Sequence, residues 1–345
     1  MEAKDLKILI VGAGGIGGIT AAQIAKAGYN VEVVDCFPGL AEKIQTRGLH
    51  VFGNGHDYTQ TIKAHSSLID VTEAKDIIIL ATKANSLPVI GKLIQPALKE
   101  NSVVVSLQNG ICEEQMAKEY GADRVVGCVV GFGATVHEAG ELEMTSGGNF
   151  TIGSVGNTIP NHFNEVYEIL SAVTETKITN NIYGHLFSKL IINSCITTLG
   201  AISGMTLGKM LSQRKFRNLF IGIIREAVKV SRAAGLKVEK YADKIDFQKM
   251  AENGSSFNKI KNHAIIRMVG LKYRKLKSSS LQSLETGRKT EIDFLNGHIS
   301  AKGQQLNVST PINDQLIMLV KEIESGTRKI SPSNFNRFSI NTLTN

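Results

Sequence analysis

The sequence has few of the residues that mark secreted, metal-binding or disordered proteins. Its 345 residues include only 6 Pro and 4 Cys, and the cysteines form no CxxC pair. The 8 histidines form no HExxH or HxxxH pattern, so no zinc signature is present. A chain of this length needs no disulfide staples, so we expect a reducing cytoplasm.

Long apolar runs are also missing. No uninterrupted run approaches the ~18 residues of a membrane span. The first apolar run begins at Leu6, within a few residues of the start of the sequence, so we expect no signal peptide. We therefore expect no membrane partner. The 42% hydrophobic fraction is enough to bury real cores, and the length suggests two domains.

Charge of neither sign dominates the chain. Its 39 Lys and Arg against 31 Asp and Glu give a net charge of +8, which suits anionic small molecules as well as nucleic acid. The most basic stretch, 259–277, contains only one aromatic residue, Tyr273. Nucleic-acid binding would need interleaved aromatics or a known motif. We interpret the stretch as a solvated helix face and loop, and expect no nucleic-acid partner.

The first half of the chain alternates apolar runs with helical patterns. This alternation is typical of an α/β fold with a doubly wound parallel sheet of Rossmann type. Segments 49–63 and 141–155 resemble extra strands that edge or extend the sheet. The predicted strands are 6–11, 31–34, 77–81, 103–107 and 125–130. The predicted helices are 87–98, 113–120 and the helical pattern from Ile16 to Ala27 that Gly28 ends.

The second half is predicted to be an all-helical domain. We expect a dinucleotide-binding domain over 1–178, a helical substrate or dimerisation domain over 179–330, and a loosely held polar tail over 331–345. Apolar helix faces beyond the needs of a small domain favour a homodimer. The predicted helices are 184–201, 213–235, 242–251, 279–302 and 312–325.

A glycine-rich turn follows the first predicted strand and opens a helix. A GxGxxG turn in this context is typical of dinucleotide binding: the first glycine permits the tight turn, the second lets the backbone approach a pyrophosphate, and the third lets helix and strand pack closely. The turn consists of Gly12, Ala13, Gly14, Gly15, Ile16 and Gly17.

Asp35 ends the second predicted strand. A carboxylate there can accept hydrogen bonds from an adenosine ribose and would repel a 2′-phosphate, and no Lys or Arg follows before Lys43. The sequence therefore favours NADH over NADPH, although Asp35 could instead be a simple strand-end cap. Lys83 and Asn109 follow the next strands at the edge where ligands bind in such sheets, and either could be an ordinary loop residue.

Polar residues interrupt an apolar helix in the second half. Lys189 and Asn193 share one helix face, and Thr197 extends it. A Lys on an apolar helix needs a partner, a wet cleft or a position at the helix margin from which it can reach water. Further along, Glu291 could form a surface pair with Arg288, and Asp293 and Asn296 could be solvated.

Together these segments resemble the ketopantoate reductase family over nearly the whole chain. The resemblance implies a Rossmann domain and a helical domain with the active site between them, which reduce ketopantoate to (R)-pantoate with NAD(P)H. The matching segments are GAGGIG at 12–17, TKA at 82–84, QNG at 108–110, K-x-x-x-N at 189–193, SSSLQ…GRKTEID..NG at 278–297 and TPIND at 310–314.

The resemblance also implies roles for individual residues. Lys189 would be the general acid, and Asn109 would lie near nicotinamide and substrate. Glu291 would contact the cofactor ribose or the catalytic network. Asn193, Thr197 and Ser279 would belong to the substrate side.

The chain departs from the family at three places. Thr197 and Leu207 stand where family members often carry Asn, and Asp35-Cys36-Phe37 stands where a basic residue commonly meets the NADP phosphate. Two alternatives therefore stay open. One is an NADH-dependent D-2-hydroxyacid dehydrogenase acting on other branched or aromatic 2-keto acids, and the other is a non-catalytic NAD-binding protein.

Overall fold

The computed structural model describes residues 2–252, 256–336 and 338, without the side chains of 256 and 257. The chain divides into two compact units, Met1–Leu186 and Phe187–Asn345. The division falls inside the long helix Ile182–Ser203, whereas the sequence predicts it just ahead of that helix.

The first unit is built on an eight-stranded sheet. Its strand order is β12-β11-β8-β7-β6-β1-β2-β5, and all pairs are parallel except β11 with β8. Runs of Ile and Val fill the central strands because both faces are covered. The strands are β1 Ile8–Val11, β2 Val31–Val34, β5 Lys63–His65, β6 Lys75–Leu80, β7 Leu98–Ser106, β8 Val125–Val130, β11 Phe150–Ser154 and β12 Thr176–Ile178.

The chain reverses its direction of growth at β1. The strands β2 and β5 lie on one side of β1, and β6, β7 and β8 lie on the other. Such a switch point opens a crevice beyond the carboxyl ends of the strands, where ligands bind in open α/β sheets. The α/β Rossmann-type architecture predicted from the sequence is confirmed. The helices of this unit are α1 Gly15–Lys26, α2 Leu40–Arg47, α3 Leu87–Leu93, α4 Glu113–Tyr120 and α5 Phe163–Ser171.

A second, four-stranded sheet corrects the expectation for segments 49–63 and 141–155. Only β5 and β11 extend the main sheet; the other strands form a separate sheet of order β4-β3-β10-β9. The first four residues of β3 and of β10 alternate between buried and half-buried, as in a sheet with one covered face. That sheet packs on α1, where the absent side chain of Gly18 leaves room for Leu142. The strands are β3 Leu49–Gly53, β4 His56–Gln60, β9 Gly133–Glu138 and β10 Glu141–Ser146.

The second unit is helical over the part of it that the structure describes. Three long predicted helices are present, and the other two are shorter or broken. The helices are α6 Ile182–Ser203, which begins in the first unit, α7 Leu207–Leu211, α8 Arg214–Ala233, α9 Phe247–Ala251, α10 Ser256–Lys272, α11 Ser279–Glu285, α12 Asn296–Gln305 and α13 Pro311–Glu324.

Local backbone geometry explains the shortened helices. Ala242 and Asp243 have φ of 49° and 58°, so the helix predicted from residue 242 starts only at Phe247. Gly287, at φ +68°, ends α11 and splits the helix predicted over 279–302. The stretch predicted as a solvated helix face and loop, 259–277, forms most of helix α10 and the segment after it.

The beginning of the predicted loose tail is packed. Phe335 and Phe338 are buried, and the ring of Phe335 lies 4.9 Å from that of Phe216 on α8. Two aromatic rings in a polar segment are enough to hold it on the helices. The expectation of a loose tail is therefore wrong for 331–336 and for Phe338, and the rest of the tail lies outside the described residues.

Helix α6 is both long and strongly apolar. By length and composition alone it could cross a membrane, but 83% of its most apolar window is buried inside the protein. Its burial is that of a core helix.

Candidate active site

The glycine-rich turn has the geometry that each glycine predicts. Gly12 adopts φ +101°, and a Cβ there would lie 3.0 Å from Thr82 in the loop after β6. A Cβ on Gly17 would overlap the carbonyl oxygen of Gly12 and lie 2.7 Å from the Cβ of Ala81. A Cβ on Gly14 would meet nothing within 4 Å, so its backbone faces open space at the start of α1.

Asp35 lies beside this turn. Its Oδ2 accepts a hydrogen bond from the backbone N–H of Ala13 at 2.7 Å, and its Oδ1 accepts one from the N–H of Phe37 at 2.9 Å. Each carboxylate oxygen keeps a further lone pair for another donor. Asp35 therefore does more than cap its own strand: it fixes the turn to the end of β2.

Two further residues of the turn help to pack α1. Gly15 begins the helix, and a Cβ there would lie 3.0 Å from that of Ala134 in β9. The carbonyl of Ile16 accepts a hydrogen bond from the hydroxyl of Thr20 at 2.8 Å. These contacts hold the first turn of α1 in place below the open space at Gly14.

The loops that carry Lys83 and Asn109 are joined by a side chain that the sequence did not single out. The buried Gln108 donates from Nε2 to the carbonyl and hydroxyl of Thr82, both at 3.2 Å, and to the carbonyl of Lys83 at 3.3 Å. Lys83 is exposed and Asn109 is half-buried. The structure thus brings the glycine turn, Lys83 and Asn109 to one edge of the sheet.

Helix α6 presents one half-buried polar stripe. His185, Lys189 and Asn193 recur every fourth residue and are half-buried, whereas their helix neighbours are almost all buried. Thr197 continues the line but is itself buried, and its hydroxyl donates to the carbonyl of Asn193 at 2.8 Å. A cationic amine and an amide are therefore held side by side on a rigid helix.

Ser278, which the sequence analysis did not select, is the serine that contacts α6. Its hydroxyl donates to the carbonyl of Thr197 at 3.1 Å and accepts from the N–H of Leu281 as the cap of α11. The selected Ser279 is exposed at the first position of α11. A Ser three residues before the first apolar helix position was the available signal.

The segment around Glu291 is not the solvated surface that local spacing allowed. Glu291 and Asn296 are buried, with Asn296 completely inaccessible. Asp293, the third residue expected to be solvated, is exposed and pairs with Lys321. The backbone N–H and the hydroxyl of Thr290 both donate to Glu324 at 2.7 Å, which ties this segment to the end of α13.

The two units hold different chemical groups. The glycine turn, Asp35, Lys83 and Asn109 lie in the first unit, and the substrate-side candidates and Glu291 lie in the second. Among the described residues, no group of three or more His, Cys, Asp or Glu side chains is arranged to hold a metal ion.

Comparison with known sequences identifies both halves. Residues 8–157 match the sequence model of "Ketopantoate reductase PanE/ApbA", and residues 181–324 match that of its C-terminal domain. The "2-dehydropantoate 2-reductase" of Pyrococcus horikoshii is 29% identical over 93% of this chain and 98% of its own length. The protein of that name from Lactococcus lactis is 25% identical over 92% and 98%.

Solved structures share the whole fold. A PanE/ApbA family ketopantoate reductase from Ralstonia eutropha superposes with a TM-score of 0.80 at 24% identity, over 94% of this chain and 100% of that one. D-mandelate dehydrogenase, in a ternary structure with NADH and anilino(oxo)acetate, gives 0.79 at 22% identity over 93% and 99%. The resemblance predicted from the sequence is confirmed: the chain belongs to the ketopantoate reductase family of oxidoreductases.

Proposed function

We propose that this protein reduces 2-dehydropantoate (ketopantoate) to (R)-pantoate with NAD(P)H. The observation that carries the proposal is the stripe of Lys189 and Asn193 on an otherwise buried helix, in a chain that also has an open glycine turn. Half-buried positions on such a helix leave the amine and the amide within reach of a polar ligand. Membership of a reductase family indicates which ligand that is.

The glycine turn is the proposed cofactor site. Open space at Gly14 and the start of α1 fit a pyrophosphate, and the Asp35 carboxylate beside the turn fits an adenosine ribose. Lys83 and Asn109 lie at the edge of the sheet where the nicotinamide end belongs. Because a carboxylate repels a 2′-phosphate, we propose NADH as the preferred cofactor. When bound, the reduced nicotinamide supplies the hydride.

Lys189 is the proposed general acid. Negative charge develops on the ketone oxygen during reduction, and an ammonium group can stabilise that charge and deliver the proton, which is typically worth ~10²–10⁴-fold. This requires Nζ of Lys189 to reach the ketone oxygen while the ketone carbon faces the cofactor. Glu291 is proposed to contact the cofactor ribose or the network around Lys189.

The remaining polar residues are proposed to hold the substrate. Asn193 and Asn109 supply amides for the substrate hydroxyl or carboxylate, and Ser279 supplies an exposed hydroxyl. The Thr197 hydroxyl donates its hydrogen bond to the backbone carbonyl of Asn193 but keeps lone pairs that can accept one. Its contribution to the substrate is therefore as an acceptor.

A D-2-hydroxyacid dehydrogenase acting on other 2-keto acids is the second candidate. The fold is shared with a D-mandelate dehydrogenase that binds NADH, and Asp35 has the charge that favours NADH. Thr197 and Leu207 stand where family members often carry Asn, and both positions belong to the substrate side of the proposed site. The two candidate functions therefore differ in which 2-keto acid is the preferred substrate.

One activity panel tests both candidates. Oxidation of NADH and NADPH is followed with ketopantoate and with branched and aromatic 2-keto acids. The proposal expects the highest kcat/KM for ketopantoate. A higher value for another 2-keto acid would transfer the assignment to the second candidate. NADH binding without turnover of any keto acid would leave a non-catalytic NAD-binding protein.

The cellular setting follows from the same proposal. The four cysteines are all free thiols, which suits a reducing cytoplasm. The product would enter pantothenate biosynthesis, as the names of the relatives imply. We also propose a homodimer; size-exclusion chromatography with light scattering gives the mass that decides it.

A further inference from the structure

A buried chain of hydrogen bonds ties together four helices of the second unit. The Thr198 hydroxyl on α6 donates to Oδ1 of Asn296 at 2.5 Å, and Nδ2 of Asn296 donates to Oδ1 of Asn313 at 2.9 Å. Nδ2 of Asn313 then donates to Oε2 of Glu226 on α8 at 2.7 Å. All four side chains are buried.

Glu226 determines which groups donate and which accept along this chain of hydrogen bonds. Its carboxylate also accepts the backbone N–H groups of Ile312 and Asn313, at 2.8 and 3.0 Å. An ionised carboxylate only accepts hydrogen bonds, so it fixes which end of the Asn313 amide faces it. That orientation fixes the amide of Asn296, which in turn requires Thr198 to donate. The chain therefore has one arrangement in which every member is satisfied.

The hydrogen-bond chain ends on the side of α6 that adjoins the polar stripe. Asn296 also donates to the carbonyl of Ser194 at 3.4 Å, so it holds α6 at two points one turn apart. Ser194 and Thr198 each directly follow a residue of the polar stripe, Asn193 and Thr197. Consecutive residues lie about 100° apart around a helix, so fixing the first pair sets the direction of the second.

We propose that Asn296 is a positioning residue that sets the rotation of α6 and thereby the placement of Lys189 and Asn193. The inference rests on the proposed function, because it gives that stripe its role in keto acid reduction. Asn313 and Glu226 act through Asn296 and touch no member of the stripe in the hydrogen bonds described. A misplacement of about 1 Å at a reacting group can cost about 10²-fold in rate.

The test removes one hydroxyl. Asn296→Ala would leave two buried partners unsatisfied and threaten folding, so Thr198→Val, which keeps the shape, is compared with Thr198→Ser, which keeps the hydroxyl. We expect Thr198→Val to lower kcat by about tenfold or more, to leave NADH affinity unchanged, and Thr198→Ser to restore turnover. Asn262→Ala is the control, since Asn262 is buried in the same unit but donates to the carbonyl of Met250.

A second readout separates this proposal from the proposed function. The rate at which acetic anhydride acetylates Lys189, followed by mass spectrometry, reports the surroundings of that amine without any turnover. We expect this rate to change in Thr198→Val and to stay at the wild-type value in Thr198→Ser and Asn262→Ala. If the wild type reduces no keto acid, the proposed function fails and the labelling rates alone decide. An unchanged rate in Thr198→Val, or an equal change in Asn262→Ala, overturns the positioning role.

Discussion

The two units of this protein build their candidate sites in opposite ways. In the first, the glycine turn relies on backbone atoms of residues that are neighbours in sequence, from Gly12 to Gly17. In the second, the buried chain from Thr198 to Glu226 joins side chains of four separate helices. A site of the first kind can be recognised from a short motif, whereas a site of the second kind becomes visible only once the helices are packed.

Replacing the amine on α6 tests the chemistry of the second unit most directly. We expect Lys189→Ala to lower kcat by ~10²–10⁴-fold, because the group that protonates the ketone oxygen is lost. NADH affinity, measured by fluorescence titration, should not change, since the glycine turn lies in the first unit. The matched control is Lys237→Ala, which removes an exposed amine of the same unit. Near-normal turnover in Lys189→Ala would refute the assignment of the acid.

Two glycine substitutions test the first unit. Gly17→Ala forces a methyl group against the carbonyl of Gly12, so we expect a loss of about 1–3 kcal/mol or more in stability. Gly14→Ala meets open space, so its melting temperature should stay close to wild type while NADH affinity falls. Calorimetry and fluorescence titration measure the two effects. Unimpaired NADH binding in Gly14→Ala would contradict the proposed placement of the cofactor pyrophosphate at Gly14.

A charge change at Asp35 tests cofactor choice. Asp35→Asn keeps an oxygen that can accept the N–H of Ala13 but removes the negative charge. We expect the ratio of kcat/KM for NADH to that for NADPH to fall by about tenfold, a difference of about 1.4 kcal/mol. The control is Glu42→Gln, a charge removal in the following helix. An unchanged ratio would show that Asp35 serves only to hold the turn.

Acid should weaken the first unit through Glu32. Burial acts to raise the pKa of this carboxyl, but hydrogen bonds from Lys63, Lys75 and His65 outweigh it and hold the pKa at about 2, below the ordinary 4.5. The stabilisation is therefore complete above about pH 4.5 and is lost as the pH falls toward 2. Between pH 6 and 3 the melting temperature of Glu32→Gln should fall less steeply than that of the wild type. An equal fall in both proteins would contradict this.

Glu226 in the second unit should respond in the opposite direction. Burial raises its pKa, and the hydrogen bonds from Asn313 and Ile312 only partly offset that rise. Its contribution to stability is therefore greatest below its ordinary pKa of 4.5 and declines as the pH rises through the folded value. Carboxyl signals followed by NMR titration should show Glu226 titrating above, and Glu32 below, the ordinary glutamate range.

The sequence predicted the first unit better than the second. Strand–helix alternation and the glycine turn depend on neighbouring residues, and both are present as expected. The separate four-stranded sheet was missed because period-two alternation reveals strands but not their partners. In the second unit, the break at Gly287 comes from a positive φ at one residue, which the helical pattern of its neighbours did not reveal. The packing of Phe335 depends on Phe216, which is distant in sequence.

The candidate site shows the same contrast residue by residue. Asp35 was found from its position after a strand, and its bond to Ala13 agrees with a place beside the turn. Asn296 was interpreted as a solvated helix residue because its polar partners lie 98 positions before it and 17 after it. Spacing along one helix cannot reveal such partners. The roles of the site residues in catalysis stay predictions until the variants are measured.

The composition of α6 has a consequence for how the chain survives outside its native state. This 22-residue helix is as apolar as a bilayer-crossing segment, and 83% of its most apolar window is buried only when the protein is folded. In a newly synthesised or heat-denatured molecule this segment is exposed, and it can associate with the same segment of other molecules. Aggregation should then be faster than refolding, and the half-life of the protein at raised temperature will be set by the rate at which the second unit unfolds.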